Sequence, residues 1–444
     1  MKSMRARSLG MRASPVPMTI MKGWGSGCCA AAGSTAASMS ARIQAERCTA
    51  RLGAGRWGRR VIWFSSGSGP GVSGQAASRA GRLAGGAGLA ALGLPGTFAR
   101  RARASSTWRA MKAIIPLAGK GTRLRPHTHL TPKPLLEVGG RPVMSYILDD
   151  LIELGIDEVV FIVGYLGDVI RDYIAKEYPS IRAHYVVQEV QDGTAGAIKL
   201  AEPWADEELL ILFVDTIFDA DLSLVKRLAP EYAGVIWAKE VEDYQRFGVI
   251  ITGGGDTMKR IVEKPREPVS KLANIGLYFI RDFGLLFEGI HHTLQNPTGP
   301  GGEFFLTDAF QYMVDHGAKL LVAPVEGWYD CGKPDTLLET NRHLLQNAGR
   351  GGVGKGAKIS GAEVIEPVRI EDGVEIRGGK IGPNVTIGRG SKVTDSVLRD
   401  VIVGHDSTIT NAELHDSLLG SHVDVRGVKG QLSVGDHSEV AAER

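Results

Sequence analysis

An α/β domain followed by a parallel β-helix is the architecture this 444-residue sequence predicts, and three observations predict it. From Met111 onward, apolar runs of strand length alternate with segments of helical period. One of those runs, Leu209–Val214, is apolar throughout, as a central strand buried on both faces requires. Beyond residue 352 the pattern changes, and an aliphatic residue recurs about every sixth position with Gly, Asn and Asp between.

Residues 1–110 stand apart. They carry 17 Lys/Arg against one acid, Glu46, whereas the rest of the chain carries 35 against 48. Six of the ten Met and three of the four Cys (Cys28, Cys29, Cys48) also fall here. Rich in Arg, Ala, Gly and Ser and lacking a sustained period, the segment cannot bury enough apolar surface to offset its chain entropy, so a disordered basic extension is expected. The favoured reading is sequence translated ahead of a start at Met111; a targeting peptide and a basic arm are the other two. The acidic body argues against broad nucleic-acid binding. Its single cysteine, Cys331, excludes a disulfide scaffold and suits a reducing, cytoplasmic setting, and no apolar run is long enough to span a bilayer.

Within the body, Lys112–Leu117 reads as the first strand. Pro142 suits a first helical position, and Ile147, Leu151 and Leu154 continue that helix to Gly155. Glu158–Val163 is predicted as strand, Asp168–Ala175 as helix, Ala183–Val187 and Leu320–Val325 as strands. Gly302-Glu303-Phe-Phe-Leu306-Thr307-Asp308 reads as a loop entering a helix.

The chemistry starts at the end of the first strand. Ile115-Pro-Leu-Ala-Gly119-Lys-Gly121-Thr-Arg123-Leu-Arg-Pro126 runs from strand into glycine loop, and Thr131-Pro-Lys133-Pro134 follows at once. Glycines at 119 and 121 let backbone N–H groups approach a polyanion, and Arg123 and Lys133 supply positive charge. The pattern lacks the third glycine of a dinucleotide fingerprint and the closing Gly-Lys-Ser/Thr of a P-loop. Asp215 follows the apolar run at 209–214, where the carboxyl ends of parallel strands form a ligand crevice. Further acids, bases and small residues gather in Ile261-Val-Glu263-Lys264-Pro265, Asn274-Ile-Gly276-Leu-Tyr278 and Trp328-Tyr-Asp330-Cys-Gly332.

In this order the motifs resemble the sugar-1-phosphate nucleotidylyltransferase family over residues 111–345, with the nearest likeness to glucose-1-phosphate thymidylyltransferases and related pyrophosphorylases. The resemblance implies a Rossmann-like mixed-sheet α/β nucleotidyltransferase domain over 111–348. It implies that Leu117, Ala118, Gly119, Gly121 and Thr122 hold the nucleotide, with Arg123 and Lys133 as catalytic cations. Val187-Gln188-Glu-Val-Gln-Asp192-Gly193-Thr-Ala195 resembles the base-recognition segment, with Gln188 and Gly193 on a pyrimidine edge. Asp215 and Asp330 match the Mg²⁺ ligands, and Gly248, Glu263, Lys264, Asn274 and Tyr278 match the sugar-phosphate pocket. Val214 before Asp215, Ala118 in the loop and Asp330-Cys-Gly-Lys333 depart from the family pattern.

The implied reaction joins a nucleoside triphosphate, dTTP or UTP, to a sugar 1-phosphate, first glucose 1-phosphate, with release of pyrophosphate. Formation of GDP-mannose and a catalytically silent nucleotide-sugar sensor or scaffold subunit are the alternatives. The nucleophile is already an anion, so no general base is required.

Over residues 349–444, Ile370, Ile376, Ile381, Ile387, Val393, Val403 and Ile409 mark the six-residue period. This resembles the left-handed β-helix of hexapeptide-repeat proteins. Some relatives use that domain as an acetyltransferase; here His405, His415, His422 and His437 form no catalytic pattern and are expected at corners or on the surface. Homo-oligomerisation through the β-helix is the expected role.

Overall fold

The computed structural model describes residues 110–442, apart from 298, 300 and 301; the expected basic extension, but for Ala110, lies outside the described residues. The main strands of the catalytic domain are β1 (Met111–Pro116), β2 (Glu158–Val163), β3 (Arg182–Val187), β4 (Glu208–Leu212), β5 (Thr216–Asp219), β6 (Gly234–Glu240), β7 (Gly248–Thr252), β8 (Met258–Glu263), β9 (Leu272–Ile280), β10 (Leu320–Pro324) and β11 (Gly327–Asp330). The sheet runs β8-β7-β9-β4-β1-β2-β3, and β6 pairs with both β9 and β10. β1 to β4 are mutually parallel, while β9 lies antiparallel to β4, giving the expected mixed sheet.

Alternate residues of these strands face opposite sides, and both sides are covered. On one side Ala113, Ile115, Val159 and Phe161 pack with Met144, Leu148 and Leu151 of α1 (Val143–Leu154) and Ile170 and Ile174 of α2 (Gly167–Glu177). On the other, Ile114, Val160, Ile162, Leu209 and Ile211 meet α3 (Thr194–Lys199), α4 (Phe283–Gln295) and α5 (Leu306–Asp315). Covering on both faces is why the strand sequences are continuously apolar. Pro142 is the residue before α1 rather than its first, with extended backbone (ψ 140°), and the helix begins at Val143.

Because β1 to β4 are parallel, their carboxyl ends deliver the glycine loop, Gln188 and Asp215 to one edge. β5 and β11 add a small antiparallel ribbon that the strand pattern does not reveal. Its register sets Asp330 opposite Thr216, and Cys331 N–H donates to Asp215 O at 2.8 Å. Asp330 therefore arrives beside Asp215 from a distant part of the chain.

The carboxy-terminal domain is the expected left-handed parallel β-helix. Lys358 pairs with Glu375, Glu375 with Lys392, Lys392 with Thr408 and Thr408 with Asp424, so a coil takes 17 residues at first and 16 later. Three sides per coil produce the six-residue period, and shortening coils produce its slips. Ile370, Ile376, Ile381, Ile387, Val393 and Ile409 are fully buried. Each such burial contributes about 1.5–3 kcal/mol. Corners fall on residues that tolerate left-handed backbone, among them Asp395, Asp406, Asn411, His422 (φ 58°) and His437 (φ 60°).

The last helix, α6 (Pro334–Gln346), lies between the two domains. Its Asn341 is buried, and Oδ1 accepts from Gly139 N–H on one side (2.9 Å) and Thr386 Oγ1 on the other (2.7 Å). Arg342 donates twice to Asp400 Oδ1, at 3.0 and 2.8 Å. Ile402 and Leu418 of the β-helix join the core of the catalytic domain.

His405 is a junction residue rather than a corner. Its Nε2 lies 2.7 Å from Glu137 Oε1, and Nδ1 lies 3.8 Å from Glu371 Oε2. The hydrogen bond to Glu137 outweighs burial and raises its pKa above 6.5. A raised histidine contributes stability that is fully present below 6.5 and lost as pH climbs through the folded value. We therefore expect His405→Gln to lower stability at pH 6 and to matter little at pH 9. Denaturant melts of both proteins across that range check it; an equal loss at both pH values would contradict the ion pair.

Candidate active site

A cleft of about 930 Å³ opens along the carboxyl edge of the sheet. From the glycine loop it takes Gly119, Gly121, Thr122 and Arg123, and next to them Lys133. From strand ends and ribbon it takes Asp215, Gly248, Glu263, Lys264, Asn274, Tyr278 and Asp330. Of the residues singled out by sequence, these are the ones brought together.

Glycine is required at 121. Its φ of 59° is left-handed, and a Cβ would come within 3.0 Å of Thr128 Cγ2 and 3.2 Å of Lys133 Cβ. The loop can thus lie directly on the segment that carries Lys133. At Gly119 a Cβ would meet nothing within 4 Å, so no packing contact requires glycine there.

Lys133 Nζ stands 3.3 Å from Asp215 Oδ2, and Arg246 Nη2 stands 3.7 Å from Asp330 Oδ2. Gly332 N–H donates to Asp330 Oδ1 at 2.7 Å and fixes that carboxylate. Each acid thus faces the cleft with a cation at its side. Two carboxylates are the donor set that suits Mg²⁺ beside phosphates, since that ion keeps waters and takes few protein ligands. Buried Thr216 Oγ1, next to Asp215 and also lining the cleft, lacks a hydrogen-bond partner among the described residues, which leaves a polar atom for a bound ligand or water. The residues fit the ion.

The opposite wall is a network around Gly248. A Cβ at 248 would strike Asn274 Nδ2 at 2.4 Å and Glu263 Oε2 at 2.7 Å, so glycine lets these two side chains converge. Asn274 Nδ2 donates to Gly248 O at 2.8 Å, Tyr278 hydroxyl donates to Asn274 Oδ1, and Thr307 Oγ1 donates to Glu263 Oε2 at 3.1 Å. Tyr278 is buried beneath the wall, where desolvation pushes its hydroxyl pKa up and keeps it a donor that orients Asn274. Burial also raises the Glu263 pKa, against the pull of Lys264, 3.8 Å away. Lys264 has a left-handed φ of 44°, a strained conformation for a lysine, and its Nζ lies 4.7 Å from the Phe305 ring centre.

Leu117, Ala118, Gln188 and Gly193 sit beside the cleft, not in its lining. Gln191 Nε2 donates to Ala118 O at 2.7 Å, and Gln188 is buried, its amide donating to Asp192 Oδ1 at 3.2 Å. Gly193 has a packing reason of its own: at φ 124°, a Cβ would lie 2.3 Å from Phe304 O. Sequence reasoning missed Arg246, Phe247 and Phe213 as cleft residues, and gave Thr194, Thr307 and Trp328, which stand in motifs it quoted, no role. For Arg246 the only signal was its place two residues before Gly248.

The nucleotidyl transferase family model matches residues 112–347. A UTP–glucose-1-phosphate uridylyltransferase of Haloferax volcanii is 32% identical over 241 residues, covering 53% of this chain and 97% of that protein. A glucose-1-phosphate thymidylyltransferase of Streptomyces antibioticus is 30% identical over 359 residues, 74% of this chain and 99% of that one. A bifunctional GlmU protein of Methanocaldococcus jannaschii is 34% identical over 260 residues, but the match spans only 60% of its length. With a family model over more than half its length and the charged cleft in place, this chain belongs to the nucleotidyl transferase family.

Proposed function

We propose that the protein transfers a nucleotidyl group from a nucleoside triphosphate, dTTP or UTP, to glucose 1-phosphate, giving a nucleotide sugar and pyrophosphate. The observation that supports this most is the meeting of Asp215 and Asp330 with Lys133, Arg123 and Lys264 around one cleft. A phosphate oxygen of the sugar phosphate attacks the α-phosphorus, and the bond to the β-phosphate oxygen breaks. The attacking oxygen already carries charge, so no residue need take a proton.

The protein's contribution is placement and charge. Glycine-loop amides and Arg123 hold the β- and γ-phosphates, the guanidinium fork matching the leaving pyrophosphate. Lys133 and Lys264 lower the repulsion between the sugar phosphate and the α-phosphate. Glu263 and Asn274 accept and donate hydrogen bonds to sugar hydroxyls. Mg²⁺ held by Asp215 and Asp330 would neutralise phosphate charge as a hard Lewis acid. Positioning of this kind can supply about 7–11 kcal/mol of the barrier.

Three outcomes are expected. A pyrophosphate-release screen over sugar phosphates and nucleoside triphosphates should give greatest turnover with glucose 1-phosphate and dTTP or UTP, and Lys133→Ala, Arg123→Ala and Asp215→Asn should each lose about 100-fold or more in kcat with an unchanged circular-dichroism spectrum. Near-parent rates in any of the three would remove that residue from the mechanism. Glu263→Ala should raise KM for the sugar phosphate about tenfold while kcat changes less; a change in melting temperature alone would make Glu263 a structural residue.

A further inference from the structure

We infer that the last coil of the β-helix braces the phosphate-binding segment, with Asp436 and Ser433 acting as positioning residues for Arg123 and Lys133. The inference rests on the proposed transfer reaction for its catalytic reading and on contacts within the chain for its geometry.

Residues 126–131 lie between the two catalytic cations in the sequence, and on one side they rest against the β-helix. Thr131 Oγ1 donates to Asp436 Oδ2 at 2.8 Å, and His127 Nε2 is 2.9 Å from Ser433 Oγ. Burial pushes His127 down to about 4, so its ring is neutral at neutral pH and needs no counter-charge there. A Cβ at Gly435 would lie 2.9 Å from Pro126 O, which shows backbone packed on backbone.

On its other side the same segment supports the glycine loop. Thr128, buried, donates its hydroxyl to Gly121 O at 2.9 Å, and its methyl fills the space a Cβ at 121 would need. A continuous path therefore runs from Ser433 and Asp436, through His127, Thr128 and Thr131, to Gly121 and Lys133.

The support is itself rigid. Asp436 Oδ1 accepts from Ser421 N–H at 2.8 Å, so one carboxylate ties the preceding coil to the catalytic domain. Beneath it Gly388, Gly404 and Gly420 stack so closely that a Cβ on any of them would fall within 2.7 Å of the next coil's backbone. A displacement of about 1 Å at a reacting group can cost 100-fold in rate, so a brace of this kind has a catalytic consequence.

The test uses the full chain with Thr131→Val, Asp436→Ala and Asp436→Asn. The first cuts the tie at the catalytic end without touching the coil; the last keeps one carbonyl oxygen for Ser421 N–H and turns an amide N–H toward Thr131 Oγ1, which can accept in place of donating. We expect kcat to fall about tenfold or more in Thr131→Val and Asp436→Ala, with faster amide exchange across 121–131, and parent behaviour in Asp436→Asn. Faster exchange with kcat and both KM values unchanged would leave a purely structural contact and overturn the proposal, as would unchanged exchange. If the parent chain releases no pyrophosphate with any substrate pair, the transfer reaction falls instead. Equilibrium dialysis of dTTP and UTP then replaces kcat, and affinity unchanged in Thr131→Val and Asp436→Ala overturns the brace.

Discussion

The approach of Lys133 to Asp215 at 3.3 Å is the contact on which the rest of the site depends. It joins the two chemical halves of the cleft, the cationic loop after β1 and the acidic end of β4, across the carboxyl edge of the sheet. Two unit charges about 4 Å apart interact by about 4 kcal/mol at the effective dielectric of a protein surface. Two phosphate groups brought that close meet a penalty of this order for every pair of charges unless fixed cations are already there. The fold supplies them without a cost at the moment of reaction, because Lys133 is held in its ion pair, Arg246 stands beside Asp330, and Lys264 is held in a backbone conformation that lysine disfavours.

Much of this was legible from the sequence, and the boundary of legibility has a physical cause. Strands such as Glu158–Val163 were readable to the residue because they are buried on both faces and bounded by Asp157 and Gly164. The glycine loop was readable because only glycine tolerates φ 59° where Thr128 and Lys133 press in. The ribbon of β5 and β11 was not: each strand has four residues, too few for an alternation to register, yet this ribbon is what sets Asp330 beside Asp215. Arg246 was missed for the same reason. A lone arginine on a short turn looks like any exposed charge, and its proximity to Asp330 comes from a partner 84 positions away, as the numbering of that ion pair shows.

The β-helix shows the same division. Its six-residue period announced the coils, since every coil must bury an aliphatic side chain on each side. Nothing periodic announced the junction. Contacts such as Asn341 with Gly139 and Thr386, or His405 with Glu137, join single residues far apart in the chain and leave no repeat to read. The proposed assembly role of the β-helix concerns its other faces. Its inner flank is occupied by its own catalytic domain, through a buried asparagine, an Arg342–Asp400 pair and two aliphatic side chains shared with the catalytic core.

That flank changes what the appended domain means for the chemistry. The Haloferax relative matches this chain over 241 residues that make up 97% of its length, so a protein about the size of the catalytic domain accounts for nearly all of that match, whereas the Streptomyces relative aligns over 359 residues. The matched length beyond the catalytic domain thus differs between relatives, and in this chain that length holds a β-helix. Where one is present and packs as it does here, the segment between Arg123 and Lys133 is pressed from both sides, by Gly121 within the cleft and by Gly435 and Asp436 from outside. A loop with side chains on only one face keeps many of its backbone states; one enclosed on two faces loses them during folding, when the cost falls on stability, and not during binding, when it would fall on turnover. The repeated coils, stiff because each stacks on the last, are well suited to that task.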